Sequence, residues 1–192
     1  DKALTKKILQ YHRIRAPRFA AFPKGRKIRR PRNLEFPLIV KTQVEESSTG
    51  IAQASVVSSD EALAERVAFI HEKFDTAAIA EQYVEGREIY AAVFGNHRLT
   101  VLPNWELDFG DLPQGSNRIA TYRLKWDLEY QKKHGIKAGP AADLTEELRR
   151  RIIRTSRRIF RLLHLGGYAR LDFRLTEDGR VYLLEANPNP DL

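Results

Sequence analysis

Apolar and polar residues alternate most clearly from Arg170 to Pro190, RLDFRLTEDGRVYLLEANPNP. Two alternating runs flank Asp178-Gly179, a dipeptide suited to a two-residue type I′ hairpin turn. That loop pairs Glu177 with Arg180 and, counting outward, sets Asp172 opposite Glu185 and Arg170 opposite Asn187. These four polar side chains then share one face, because strand side chains alternate with period two. Leu171, Phe173, Leu175, Tyr182, Leu184 and Ala186 are expected on the other, core-directed face. Upstream, Ile8, Leu9 and Tyr11 predict a short opening helix that ends at Ala16-Pro17. Strands are expected over Arg18 to Phe22, Phe36 to Lys41, Ile51 to Val57, Ala77 to Val84, Ile89 to Val93 and Arg98 to Leu102. Ser58-Ser59-Asp60-Glu61 fits a capping box for a helix with Leu63, Val67, Ile70 and Phe74 on its buried stripe. Residues 104–137 are polar and aromatic, with Thr121 to Asp127 expected as a strand presenting Lys125. Asp143 or Thr145 caps a long helix through about Leu163, with Leu148, Ile152, Ile159 and Leu163 inward. The strand that halts at Glu85-Gly86 reads as a connector between two α+β lobes, 1–86 and 87–192.

The hairpin carries the first chemical signal. Opposed carboxylates on neighbouring strands repel unless something cancels them. The all-oxygen set Asp172, Glu185 and Asn187 suits Mg²⁺, and Arg170 beside it suits a transferring phosphoryl group. The alternative is an outer face on which Asp172 and Glu185 simply pair with Arg170 or Arg174. A strand ending in Lys41, followed by the hydroxyl-rich loop Glu45-Glu46-Ser47-Ser48-Thr49-Gly50, can fold over phosphates. It is not a Walker loop, and an ordinary turn explains it as well. Glu81 and Glu88 flank the strand break, whose backbone could read an adenine edge or merely carry surface carboxylates.

Composition narrows the classes. Among 192 residues there is no cysteine, which excludes disulfides and thiolate chemistry, and no methionine, even at position 1. A chain without an initiating methionine is expected to be processed, excised or engineered, with natural boundaries outside this sequence. No apolar run approaches the roughly 18 residues of a membrane span and no signal peptide opens the chain, so a cytoplasmic setting is expected. Net charge is +8, from 33 basic and 25 acidic residues. The basic residues are dispersed, with local densities at Lys24–Arg32 and Arg149–Arg161, and no aromatic-basic platform accompanies them. That charge invites a nucleic-acid reading, which the dispersal argues against, and an enzyme binding a polyanionic nucleotide also benefits from a positive field. The five histidines lack a common ligand spacing and read as structural.

Taken in order, DKALTK, LIVKTQVEESSTG, EQYVEGRE, LKWD and GYARLDF…EDGRVYLLEANPNP resemble the ATP-grasp superfamily, and most closely its D-alanine–D-alanine ligase-like branch. The resemblance implies an α+β ATP-grasp fold, with the nucleotide held between antiparallel sheets of two lobes. Lys2 and Lys41 would hold the α- and β-phosphates, and Ser47, Ser48 and Gly50 would lie in the loop closing over them. Glu81 would be near the adenine amino group, with Gln82 and Val84 reading the ring edge through their backbone and Tyr83 flanking the ring. Glu88 would hold the ribose, and Lys125 would reach the terminal phosphate. Asp172, Glu185 and Asn187 resemble the Mg²⁺ ligands, with Mn²⁺ an alternative ion, and Arg170 resembles the arginine of the phosphoryl-transfer transition state. The implied activity is an ADP-forming, ATP- and Mg²⁺-dependent ligase joining a small carboxylate to an amine, or to a thiol, through an acyl phosphate. An ATP-binding module without ligase activity and a kinase that stops after phosphoryl transfer are the alternatives. Departures fall at Glu46, where the branch usually has glycine, at Trp126, where tyrosine is common, and at Pro188-Asn189-Pro190-Asp191, and they argue against D-alanyl-D-alanine as the product.

Overall fold

The alternating runs become two antiparallel sheets in the computed structural model, which describes residues 1–44 and 50–190. The architecture is α+β, as expected. The chain divides into two units, described separately below.

The first unit comprises Asp1–Leu4, Pro17–Tyr83 and Phe109–Ile136. Its sheet has the order β1-β4-β2-β3, with β1 at Phe19–Phe22, β2 at Leu38–Thr42, β3 at Val56–Val57 and β4 at Ala78–Gln82. Along β2, Leu38, Val40 and Thr42 are buried, while Ile39 and Lys41 face the other side and are only partly covered. The buried set meets Leu63, Val67 and Ile70 of helix α2, Asp60–Phe74. Ser59 caps that helix, accepting from the Ala62 N–H at 3.2 Å. This is a simple cap one residue later than the expected box. Only Val56–Val57 of the expected strand Ile51 to Val57 pairs, because Gln53–Ser55 closes a 3₁₀ turn. Residues 122–134 form two short helices, α3 at Tyr122–Trp126 and α4 at Leu128–His134.

The second unit comprises Thr5–Ala16, Val84–Asp108 and Lys137–Leu192. Its sheet has the order β10-β9-β5-β7-β8, with β6 paired to β5. The strands are β5 Arg87–Phe94, β6 Thr100–Val101, β7 Trp105–Asp108, β8 Lys137–Pro140, β9 Tyr168–Leu175 and β10 Val181–Asn187. Helix α5, Glu146–Leu162, is capped by Thr145 and buries Ile152, Ile159 and Phe160 against Ile89, Leu171 and Phe173. Its arginines lie mostly outward, three of them paired with Glu146 or Glu147.

This division differs from a single cut at 86/87. Leu9 and Ile14, in and just after helix α1 (Lys2–Tyr11), are buried in the core of the second unit. Residues 109–136 return to the first unit, where the Asn117 N–H donates to the Gln53 side chain and the Arg118 N–H to the Tyr83 hydroxyl. No helix among the described residues is long and apolar enough to cross a membrane.

The expected strand break has a backbone cause. Gly86 has φ +143°, and a Cβ there would lie 2.2 Å from the Leu175 carbonyl oxygen. Gly86→Ala should therefore destabilise the chain by about 2 kcal/mol or more, since both a strained φ and a backbone clash must be relieved. Urea unfolding of the two proteins measures this, and equal midpoints would exclude that close approach.

Candidate active site

The β9–β10 hairpin sets the geometry. Next to the turn the pairs are Val181–Leu175, Tyr182–Arg174 and Leu183–Phe173, one residue away from the expected register. The turn is a three-residue loop, Glu177-Asp178-Gly179, with Gly179 at φ +76° and its N–H donating to the Thr176 carbonyl. Such a loop uses a left-handed glycine at its last position. The register then shifts between Leu183 and Glu185, after which Glu185 faces Asp172 and Asn187 faces Arg170. Leu184 is the extra residue of a β-bulge. Val181 and Leu183, not Tyr182 and Leu184, therefore enter the core beside Leu175 and Phe173. The two deviations cancel, so the polar pairs form as the sequence predicts although the core contacts near the turn differ.

Strand β5 extends this polar face. Glu88, Tyr90 and Ala92 pair with Arg174, Asp172 and Arg170, and directly opposed residues point to the same side of a sheet. Asp172 is buried and accepts two hydrogen bonds from Arg170, Nε to Oδ1 at 2.8 Å and Nη2 to Oδ2 at 3.2 Å. The Asn187 Nδ2 donates to Asp172 Oδ2 at 3.0 Å. Burial pushes the Asp172 carboxyl up to about 6; Arg170 opposes that shift, while Glu88 and Glu185 add to it. The Arg170 guanidinium stacks 5.0 Å from the Tyr90 ring centre. The Tyr90 hydroxyl donates to Glu88 Oε1 at 3.0 Å, and Arg174 Nη2 donates to Glu88 Oε2 at 3.0 Å. Burial also raises the Tyr90 hydroxyl well above its ordinary value.

The other predicted residues, Val84 excepted, belong to the first unit. Lys2 opens helix α1, and its N–H donates to the Gln43 carbonyl. Lys41 on β2 pairs with Glu81 on β4 at 3.0 Å, and the Glu81 side chain is almost fully buried. The Gln82 N–H donates to Arg18 and the Tyr83 N–H to Pro37, while Val84 begins the next segment of the second unit. Gly50 lies against Phe74, and its carbonyl accepts from Arg66 and Ser55. Lys125 sits in helix α3, not in a strand, because Thr121 caps that helix by accepting from the Leu124 N–H. Ser47 and Ser48 fall outside the described residues.

The donor set around Asp172 fits a hard divalent cation. Two carboxylates and a side-chain amide are brought to one face by opposed strand positions, and Asp172 resists ionisation there in a way a cation would relieve. Among the described residues no three His, Asp or Glu side chains are placed as a metal site. An ion here would thus keep several positions for water or phosphate, as Mg²⁺ does. Two further residues, Tyr90 and Arg174, join the site, and a third, Lys6, bonds the strand that carries Glu185 and Asn187. The first two follow Glu88 and Asp172 by two positions, so strand periodicity pointed to them. Lys6 is buried with its Nζ donating to the Leu184 carbonyl at 3.2 Å. Its only sequence signal is a lysine three residues before Leu9 on the buried side of a helix.

Comparison with known proteins agrees with this arrangement of elements. The family model for the D-ala D-ala ligase C-terminus matches residues 7–192. A D-alanine–D-alanine ligase of Bordetella petrii is 31% identical over 195 residues, spanning 100% of this chain and 55% of that protein. An uncharacterised protein of Sinorhizobium fredii is 29% identical over 192 residues, across 100% of this chain and 54% of its own length. The crystal structure of a Bacillus anthracis D-alanine–D-alanine ligase complexed with ATP has a TM-score of 0.74 at 24% identity, covering 99% of this chain and 55% of that one. That likeness is one of fold. The chain spans about half the length of the curated relatives it matches.

The Asp172 environment makes a pH prediction for the metal-free chain. A carboxyl held near 6 in the fold but near 3.8 when unfolded keeps its proton longer in the native state. The unfolded chain therefore loses that proton first, and stability falls as pH rises from about 4 to about 6, by up to about 3 kcal/mol. Chemical denaturation across that range should show this slope in the wild type and its loss in Asp172→Asn. Parallel profiles would place the Asp172 pKa near its ordinary value.

Proposed function

Since the chain belongs to the D-ala D-ala ligase C-terminus family, we propose that it is the ATP-binding, phosphoryl-transferring part of an ADP-forming carboxylate–amine ligase. The observation that carries this reading is the opposed Asp172–Glu185 and Arg170–Asn187 pairing on one polar face. Asp172, Glu185 and the Asn187 amide oxygen would hold Mg²⁺, which supplies charge neutralisation at the β- and γ-phosphates when bound. For Asn187 to ligate, its amide turns over from the orientation in which Nδ2 donates to Asp172.

The chain's own groups do the rest. Arg170, seated on Tyr90, is the planar donor aimed at charge that develops on the transferring phosphoryl group. Lys2, Lys41 and Lys125 offset phosphate charge, Lys41 by exchanging part of its pairing with Glu81. Because the Gln82 and Tyr83 N–H groups are already committed, an adenine edge is read by the Gln82 carbonyl and the Val84 N–H. Glu88, steadied by Arg174 and Tyr90, accepts from the ribose hydroxyls. The carboxylate substrate takes the γ-phosphoryl group to form an acyl phosphate, which the amine then attacks with loss of phosphate. No side-chain nucleophile is required. D-alanine is the substrate named for relatives of this chain.

Isothermal calorimetry with ATP, with and without Mg²⁺, tests the proposal, and Mg²⁺-dependent binding is expected. Glu185→Gln should weaken that binding at least about tenfold, as loss of a metal-site partner commonly does. Acceptor-dependent ADP formation by the full-length protein should fall by about 10²-fold or more, the scale of removing one transition-state electrostatic partner. The fold should be retained, because the substitution also removes one of two opposed carboxylates. Unchanged Mg²⁺ dependence in Glu185→Gln would refute the assignment.

A further inference from the structure

The bulge at Leu184 decides which side chains of β10 reach the polar face. Without it the register near the turn would continue, and Leu184 would oppose Asp172 while Ala186 opposed Arg170. A one-residue slip moves a strand's whole side-chain set to the opposite face. Glu185 and Asn187 would then point into the core. The bulge is thus a condition for assembling the candidate cation site, and something must hold it.

A bulge leaves its extra residue out of the ladder. Strand β10 is an edge of its sheet, so its outer side is not covered by another strand. Residues of the opening segment cover that side. Lys6 Nζ donates to the Leu184 carbonyl at 3.2 Å, and the Leu183 N–H donates to the Arg15 carbonyl at 2.9 Å. Lys6 is only 3% exposed. A buried ammonium is costly unless it is hydrogen-bonded, and the carbonyl of a partly covered, bulged residue gains from a donor. Each group therefore meets a need of the other at the bulged residue.

We propose that Lys6 is a positioning residue: by pinning the Leu184 carbonyl it holds the bulge that turns Glu185 and Asn187 toward Asp172. It acts through the register of β10. This inference rests on the cation reading of the Asp172–Glu185–Asn187 set for its binding consequence, but not for its structural one.

The test compares Lys6→Met with Lys6→Gln and Lys6→Arg. Methionine keeps an unbranched apolar stem and removes the donor, whereas the other two retain an N–H group. Two readouts are taken: Mn²⁺ affinity by electron paramagnetic resonance, and amide hydrogen exchange at Leu183 to Asn187. Lys6→Met is expected to weaken Mn²⁺ binding about 10- to 100-fold, the range for loss of an outer-shell partner. Exchange should accelerate at those amides while the α5 core stays protected, and Lys6→Gln or Lys6→Arg should recover part of both. Wild-type affinity and wild-type exchange in Lys6→Met would overturn the proposal, as would equal losses in all three variants. If the wild type binds no Mn²⁺, the cation reading fails, and the exchange readout alone decides the role of Lys6. Should Lys6→Met not fold, a hydrogen-bond scalar coupling from the wild-type Lys6 ammonium to the Leu184 carbonyl decides it, its presence supporting the pinning and its absence overturning it.

Discussion

Period-two alternation is the constraint on which the rest of the second unit depends. A strand buried on one face allows no odd-numbered slip, because a single residue exchanges core for polar side chains. The β9–β10 hairpin nevertheless contains two odd-numbered irregularities. The loop Glu177-Asp178-Gly179 displaces the register one way, and the bulge at Leu184 restores it. Between them Val181 and Leu183 fill the core; beyond them Glu185 and Asn187 meet Asp172 and Arg170. Neither irregularity alone would leave both a packed core and an assembled site. The pair allows one short strand to serve the core at its start and the chemistry at its end.

This explains why the site was more legible than the path leading to it. Asp172, Glu185, Arg170 and Asn187 were placed correctly by counting from an assumed two-residue turn, although the turn has three residues. The buried choice between Tyr182 and Val181 came out reversed for the same reason. Turn length is hard to read from Asp178-Gly179, because a glycine with positive φ suits both loops. Where apolar periodicity was long, as in helices α2 and α5, the sequence specified both the element and its inward face. Lys125 was misplaced because five residues, Tyr122–Trp126, are too few for periodicity to separate a strand from a helix, and the decisive signal was the Thr121 cap. Lys6 was missed because a lysine reads as exposed unless its acceptor is known. The grouping of residues 5–16 with the second unit and of 109–136 with the first depends on long-range contacts that no local pattern encodes.

Charge compensation gives the polar face its second constraint. Glu88, Asp172 and Glu185 project from one side of three adjacent strands, with Arg174 and Arg170 beside them. Burying acids at this density is tolerable only where donors surround them. Tyr90 contributes in two ways, donating to Glu88 through its hydroxyl and supporting Arg170 with its ring. Glu88 and Asp172 are thereby connected through Tyr90 and Arg170 without touching. Loss of any one donor leaves a buried acid behind, which costs more than the bond itself contributes.

The same logic bears on selectivity for a nucleotide under the proposed function. Lys41 is paired with Glu81, and Arg170 with Asp172, so two cations assigned to phosphate are already neutralised by carboxylates. A simple anion would have to displace a well-placed carboxylate, and it would leave that carboxylate buried without its partner. Its net gain is small. Mg²⁺-ATP differs because it carries both signs of charge. Under the proposed function its phosphates would take up the guanidinium and Asp172 would hold its cation, so that partners would be exchanged and no buried charge would be left uncompensated. Discrimination would then arise from the cost imposed on the wrong ligand as much as from contacts offered to the right one. On this argument the pairing of Arg170 with Asp172, which by itself could pass for an ordinary ion pair, is the arrangement expected of a site that admits a phosphate only together with its metal.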